Sequence, residues 1–372
     1  MTFRERYMET LLFGNPDKVP LLPGGPREST LEAWRQQGLV EEDHYAAMVK
    51  ELGLPPITND MVDPGVSFEM LPMFEEKVID HKEGHYVVQD WQGAIVEISD
   101  KFDVTYLRFA RDFVTRKWHK FPVENRDDFE RMKERYKLDT PGRFPEDFPA
   151  KAAGMNESGA VTAAMTKGPF WKLRDWLGFE NLCVLFMDDP DFVREMIGFW
   201  RGFVTATLQG ALDHARLDRF LISEDMAYKA HSMISPAMAR EFLQPSYFEW
   251  VDLLKSKGCQ IVDVDSDGYI GELIPVWIEA GINCCCPIEV AAHNDIVAFR
   301  RQFGKKMAYT GGVDKRAMAA GGSAIKAEIE RVAPLVKDGG YIPGCDHGVP
   351  PDVSWPNFIE YSRLLAQVCG WM

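Results

Sequence analysis

From about residue 158 onward the chain alternates short apolar strands with amphipathic helices, and no other feature limits its fold as strongly. Parallel strands cannot be joined by tight turns, because each connection must carry the chain back to the same end of the sheet, and a helix is the usual crossover. The strand signals are Phe220-Leu221-Ile222, Ile261-Val262-Asp263-Val264, Ile282 to Cys286, Met307-Ala308-Tyr309 and Tyr341-Ile342. A long helix is predicted from about Asp191 to Ala215, since Val193, Ile197, Trp200, Val204, Leu208 and Ala211 recur at spacings of three and four. Ser235-Pro236 opens another, with a capping hydroxyl and a proline in the first turn, where no N–H donor is needed. Further helices are predicted near Ile270 to Glu279, Asp295 to Phe303, Ser323 to Val336 and Trp355 to Val368. The pattern predicts an α/β fold, a (β/α)8 TIM barrel; the open doubly wound alternative lacks its Gly-x-Gly-x-x-Gly turn.

A bare barrel of this kind takes roughly 250 residues, and this chain exceeds it by about 120. One elaborated domain over 1–372 is therefore expected: an N-terminal elaboration with the first strand over 1–157, then the main run of β/α units over 158–372. Val19-Pro20-Leu21-Leu22 reads as that first strand, followed by polar helices near Leu31 to Gln37 and Asp43 to Leu52. Val78 to Ile98 and Thr105 to Trp118 alternate apolar and polar residues and carry Gly84 and Gly93 at turn positions, so β-hairpins covering one end are expected.

A formal net charge of -15 repels a phosphate backbone, so nucleic acid is not an expected partner, and small molecules or proteins are. Met1 to Arg6 lacks the apolar run of a signal peptide and no apolar stretch spans a membrane, which predicts a cytoplasmic protein. The seven cysteines, an odd number with Cys284, Cys285 and Cys286 consecutive, suit reduced thiols. A homodimer is the default expectation for assembly.

Each strand ends in polar residues: Ser223-Glu224-Asp225, Asp265-Ser266-Asp267-Gly268, Pro287-Ile288-Glu289, Gly311-Gly312-Val313-Asp314 and Gly344-Cys345-Asp346-His347. A barrel brings these ends to one face, and crowded carboxylates raise one another's pKa, which is one way to obtain a general acid near neutral pH. The plainer reading is that such Asp and Glu side chains cap the helices that follow. Asp265 and Asp267, two residues apart, point the same way while the strand stays extended, and Gly268 then permits a sharp turn. Cys345 and His347 with Asp265 supply donors for a zinc ion if one is bound, whereas packing for Cys345 and a hydrogen-bonding role for His347 need no metal. Tyr228 and His231 fall in a loop before the helix at Ser235, where contact with substrate is expected.

Several segments together resemble the uroporphyrinogen decarboxylase superfamily over nearly the full length. They are Arg4-Glu5-Arg6 with Pro16-Asp17-Lys18-Val19-Pro20, Glu224-Asp225-Met226-Ala227-Tyr228 with Ser235-Pro236, Gly311-Gly312-Val313-Asp314, and Gly339-Gly340-Tyr341-Ile342-Pro343. The decarboxylase motif Arg-Gln-Ala-Gly-Arg-Tyr is replaced here by Pro23-Gly24-Gly25-Pro26-Arg27-Glu28. The His-x-Cys-Gly of the zinc-dependent thiol methyltransferases is replaced by Asp265-Ser266-Asp267-Gly268, with only their later cysteine matched, by Cys345.

The resemblance implies the methyltransferase-like branch, which moves methyl groups between a small methylated substrate, a corrinoid carrier protein and tetrahydrofolate. On that reading Asp265, Asp267, Glu224 and His347 are the catalytic candidates, and Asp225, Tyr228, His231, Glu289, Asp314 and Asp346 the substrate-binding ones. A carboxy-lyase acting on a small acid or a tetrapyrrole is the alternative enzyme. A ligand-binding barrel without catalysis is the alternative from another class.

Overall fold

The computed structural model describes residues 1–110, 112 and 114–372. In chain order its strands are β1 Met61–Val62, β2 Lys77–Lys82, β3 His85–Gln89, β4 Ile95–Ser99, β5 Lys117–Lys120, β6 Val161–Lys167, β7 Arg219–Ser223, β8 Ile261–Asp265, β9 Cys284–Cys286, β10 Ala308–Val313 and β11 Tyr341–Cys345. The residues gather into two compact units, one of Met1–Pro64, Pro149–Met165 and His214–Met372, the other of Gly65–Phe148 and Thr166–Asp213. Among the described residues no helix is long and apolar enough to cross a membrane.

The first unit is built on a seven-stranded sheet in the order β1-β6-β7-β8-β9-β10-β11, and its registered pairs are parallel. Ile261, Val262, Asp263 and Val264 of β8 are all buried, as a parallel strand covered on both faces requires. The register sets the ends of the strands level: Ser223 lies opposite Asp265, Asp265 opposite Cys286, and Val313 opposite Cys345. Helices predicted from the sequence are found at Ile296–Phe303, Ser323–Asp338 and Trp355–Val368. The helix capped by the Ser235 hydroxyl is only three residues, Pro236–Met238; it continues as a π-helical stretch, Ala239–Leu243, into Gln244–Ser256. Pro245 accounts for the irregularity, since it has no N–H for the ordinary ladder.

The first strand expected at Val19 to Leu22 does not form. Pro20, Pro23 and Pro26 remove donors that a ladder needs. What remains is an attachment to β11: Cys345 N–H bonds to the Pro23 carbonyl (3.0 Å), and Pro26 makes an isolated parallel bridge to Val349.

The second unit holds an antiparallel sheet, β2-β3-β4-β5, and the helix Pro190–Leu212. Val193, Ile197, Trp200, Val204, Leu208 and Ala211 form the helix's buried stripe, as their spacing predicts. The hairpins around Gly84 and Gly93 are present. The region from Thr105 to Trp118 is not a hairpin: it carries a short helix, Tyr106–Phe109, and only β5 near its end, while Arg111 and Phe113 lie outside the described residues. Asp103 starts that helix by accepting the backbone N–H (2.8 Å) and hydroxyl (2.6 Å) of Thr105, a local turn that competes with strand pairing.

Candidate active site

At the carboxyl end of β8, Asp265 sits level with Ser223 and Cys286, and the Ser223 hydroxyl donates to its Oδ2 (2.7 Å). Burial pushes the Asp265 carboxyl up to about 6. The Ser223 bond pulls the other way, and the charges of Asp267, Asp263 and Asp225 add to the rise. A carboxyl in this range carries a proton often enough near neutral pH to act as an acid.

Beyond Asp265 the chain turns sharply. Ser266 accepts the Met226 N–H (3.0 Å), and the Gly268 N–H donates to Glu289 Oε2 (3.0 Å). Gly268 has φ +78°, and a Cβ there would lie 2.4 Å from the Ala227 carbonyl oxygen and 2.7 Å from that of Tyr228. Both obstacles are backbone and cannot swing aside. Gly268→Ala is therefore expected to lower stability by about 2 kcal/mol or more, read as a fall in the denaturant midpoint; an unchanged midpoint would contradict this account of the turn.

The turn presents Asp267 to His347, whose Nε2 lies 3.3 Å from Asp267 Oδ2. His347 Nδ1 accepts the Gly348 N–H (2.7 Å), so the neutral ring carries its proton on Nε2, pointing at Asp267. The hydrogen bond to Asp267 raises the imidazole's pKa, against burial. The Gly348 contact also resists, because a proton on Nδ1 would break it.

Of the four expected catalytic side chains, Asp265, Asp267 and His347 come together and Glu224 does not join them. Glu224 is fully buried and accepts the hydroxyl of Tyr247 on helix Gln244–Ser256. Strand alternation is the reason: Ser223 faces Asp265, and the next residue turns toward the helical layer. Asp225 lies beside Asp265 at φ +39° and acts on it electrostatically.

Glu289 and Asp346 flank a cation that the sequence reading passed over. Lys315 Nζ lies 3.1 Å from Glu289 and 3.5 Å from Asp346. Asp346 is buried and also accepts the N–H groups of Val290 (2.9 Å) and Lys315 (3.3 Å), so it ties three strand ends together. Asp314 follows the plainer reading: it caps helix Lys315–Ala320 and pairs with Arg316 (2.8 Å). Tyr228 is exposed and its N–H bonds the His231 carbonyl, while the His231 ring meets Glu272 (3.2 Å). Ser223, Tyr247 and Lys315 were legible only as strand or helix residues, since their roles depend on partners 23 to 42 positions away.

The zinc set of Cys345, His347 and Asp265 does not assemble. Among the described residues no group of three or more His, Cys, Asp or Glu side chains is placed to hold a metal ion. Cys345 is buried, which pushes its thiol up to about 12, and the other two are turned to Asp267 and Ser223. Arg27 is a further feature of this region. A Cβ on Gly348 would touch its Cγ at 3.5 Å, and among the described residues Arg27 makes no ion pair.

The family model described as Uroporphyrinogen decarboxylase (URO-D) matches residues 119–361. Among solved structures, a methyltransferase from Methanosarcina mazei shares the fold with a TM-score of 0.60 at 13% identity, covering 100% of this chain and 98% of that one. A putative vitamin-B12-independent methionine synthase from Listeria monocytogenes gives 0.40 at 12% identity, covering 94% of this chain and 96% of that one. A B12-independent methionine synthase from Shewanella sp. W3-18-1 gives 0.39 at 11% identity, covering 61% and 67%. No curated protein matches the sequence.

Proposed function

The chain belongs to the uroporphyrinogen decarboxylase family, and from that premise we propose that it is a methyltransferase, moving a methyl group between a small methylated substrate and a corrinoid protein or tetrahydrofolate. The observation that carries the reading is Asp265, an acid poised at about 6 beside the Asp267–His347 pair. Methyl transfer from oxygen or nitrogen leaves an electron pair on that atom, and a proton delivered there stabilises the departing group. Asp265 delivers that proton, and Asp267 orients His347. The name methyltransferase is that of the Methanosarcina mazei neighbour, and it is taken over here with the fold.

The amino and ring N–H groups of a pterin donate to a carboxylate, and Asp267 is the residue that would hold it, leaving Asp265 to the proton. When bound, the carrier supplies or accepts the methyl group. On the same reading the barrel closes beside β11 through the irregular Val19 to Pro26 segment, tied there by the Cys345 N–H to Pro23 carbonyl bond and the Pro26–Val349 bridge, without an eighth strand.

A carboxy-lyase is the second reading, and Arg27 favours it. It lies in the segment that stands in place of Arg-Gln-Ala-Gly-Arg-Tyr and makes no ion pair among the described residues, so it is available to a substrate carboxylate. One anaerobic assay separates the two. Purified protein is offered methylcobalamin and methyltetrahydrofolate with thiol and homocysteine acceptors, and separately small carboxylic acids. Demethylation of either carrier is the expected result; release of carbon dioxide without demethylation would transfer the assignment to the lyase.

A further inference from the structure

Asp267 and His347 are partly exposed, at 43% and 36%, and a pair so open to water does little to fix its own geometry. What aims Asp267 at the ring lies in the backbone of its turn, where five polar groups are bound. The Asp267 carbonyl accepts the Ser266 hydroxyl (3.1 Å), and the Gly268 N–H donates to Glu289 Oε2 (3.0 Å). The Gly268 carbonyl accepts Asn294 Nδ2 (2.8 Å), the Tyr269 N–H donates to the Tyr228 carbonyl (2.7 Å), and the Ile270 N–H donates to Asn294 Oδ1 (3.1 Å). Two side chains, Glu289 and Asn294, therefore supply three of the five bonds.

Both come from the segment between β9 and helix Ile296–Phe303. Asn294 is buried, and its Nδ2 also donates to the Glu289 carbonyl (2.9 Å), so one amide joins the segment to the turn at both of its ends. Its partners fix its orientation, since two carbonyls need the amide nitrogen and one N–H needs the oxygen. The backbone is bent at a cost to present these groups: Ile288, just before Glu289, has φ +62°, and His293, just before Asn294, has φ +68°. Asp346 holds the same segment by accepting the Val290 N–H (2.9 Å), and Lys315 faces both Glu289 (3.1 Å) and Asp346 (3.5 Å). The turn is thus tied back to the ends of β10 and β11.

We propose that Asn294 and Glu289 are positioning residues for the Asp267–His347 pair, clamping the turn so that the Asp267 carboxylate meets Nε2 of His347. The clamp is independent of the reaction performed above it; its effect on turnover rests on the methyltransferase reading. Asn294 is the cleaner probe because it is uncharged. Asp267 and Glu289 raise the His347 imidazole, while burial and Lys315 lower it, and replacing Asn294 alters none of those charges.

The test follows the His347 ring by NMR titration of the full-length protein. Asn294→Ala is expected to lower its proton affinity about threefold, the size of one ordinary hydrogen bond, because Asp267 is no longer held against Nε2. Asp267→Asn lowers it too, and in that background Asn294→Ala is expected to add nothing, since its influence passes through Asp267. Glu289 supplies a second measurement. Glu289→Gln and Glu289→Ala both remove the charge, but only alanine removes the acceptor for the Gly268 N–H, so alanine is expected to lower the ring's affinity further. Melting curves identify the folded variants, and should Asn294→Ala not fold, the Glu289 comparison decides. An unchanged titration in folded Asn294→Ala overturns the proposal, and so do equal titrations in the two Glu289 variants. A fall that persists undiminished in the Asp267→Asn background overturns it as well, because packing would then be moving the ring without Asp267. A His347 that responds as expected in a protein transferring no methyl group sinks the methyltransferase reading and leaves the clamp standing. Methyl transfer by a protein whose His347 ignores Asn294 does the reverse.

Discussion

Asp265→Asn is expected to cost roughly 10²- to 10⁴-fold in turnover, the usual contribution of a positioned general acid, and at the same time to make the folded protein more stable above neutral pH. The two effects share one cause. Burial raises the Asp265 carboxyl from 3.8 to about 6, so the folded state holds that proton more tightly than the unfolded chain does. For a group raised in this way, the stabilising effect is complete below the unfolded value and disappears as pH climbs through the folded one. A shift of this size corresponds to about 3 kcal/mol of penalty on the ionised form, fully felt above pH 7. Asparagine keeps an oxygen for the Ser223 hydroxyl and carries no charge to bury. Urea midpoints at pH 4 and pH 8 should therefore diverge between the two proteins only at the higher pH. In the unaltered enzyme, the rate should fall as pH rises through about 6, because the acid is then spent as carboxylate. Equal midpoints at pH 8 would mean that Asp265 is better solvated than its surroundings indicate; a flat pH profile would remove it from proton delivery.

How much of this was readable beforehand differs from one residue to the next, for physical reasons. The strands after residue 158 announce themselves because a parallel strand covered on both faces is mostly apolar, as Ile261, Val262 and Val264 of β8 are, with Asp263 accommodated only by its pairing with Arg219. Their polar ends were correctly grouped for Asp265, Asp267 and His347, since a shared sheet edge is enough to predict that neighbourhood. Glu224 failed on a finer point. Which face a residue takes depends on the register with the next strand, and Ser223 holds the face toward Asp265. Val19 to Leu22 has the apolar content of a strand, but the prolines within and just after it deny the ladder, a local chemical veto that hydrophobic pattern alone overlooks. Lys315 was passed over because a lysine after a capping aspartate looks like an ordinary first-turn residue; only the fold reveals Glu289 and Asp346 converging on it.

The second large effect lies deeper in the same strands. Arg219 of β7 and Asp263 of β8 form a buried ion pair, with Arg219 Nε 3.0 Å from Asp263 Oδ2 and a second, shorter contact through Nη2. Asp263 is fully buried, and its Oδ1 has no hydrogen-bond partner among the described residues. Arg219→Met strands that carboxylate without a counter-charge and is expected to cost about 3–5 kcal/mol. Removing both charges avoids the problem, so Arg219→Met with Asp263→Leu should regain most of the loss, because two apolar side chains need no desolvated partner. The pair also acts on the site above it. The Asp263 charge is one of the groups that push Asp265 upward, so deleting it lets the Asp265 carboxyl fall. The double variant's rate should consequently begin to decline at a lower pH than the parent's. Denaturant midpoints and a pH profile read the two consequences separately: a double variant as unstable as the single one would show that the cost lies in packing, and an unmoved profile would show that Asp265 does not feel the charge beneath it.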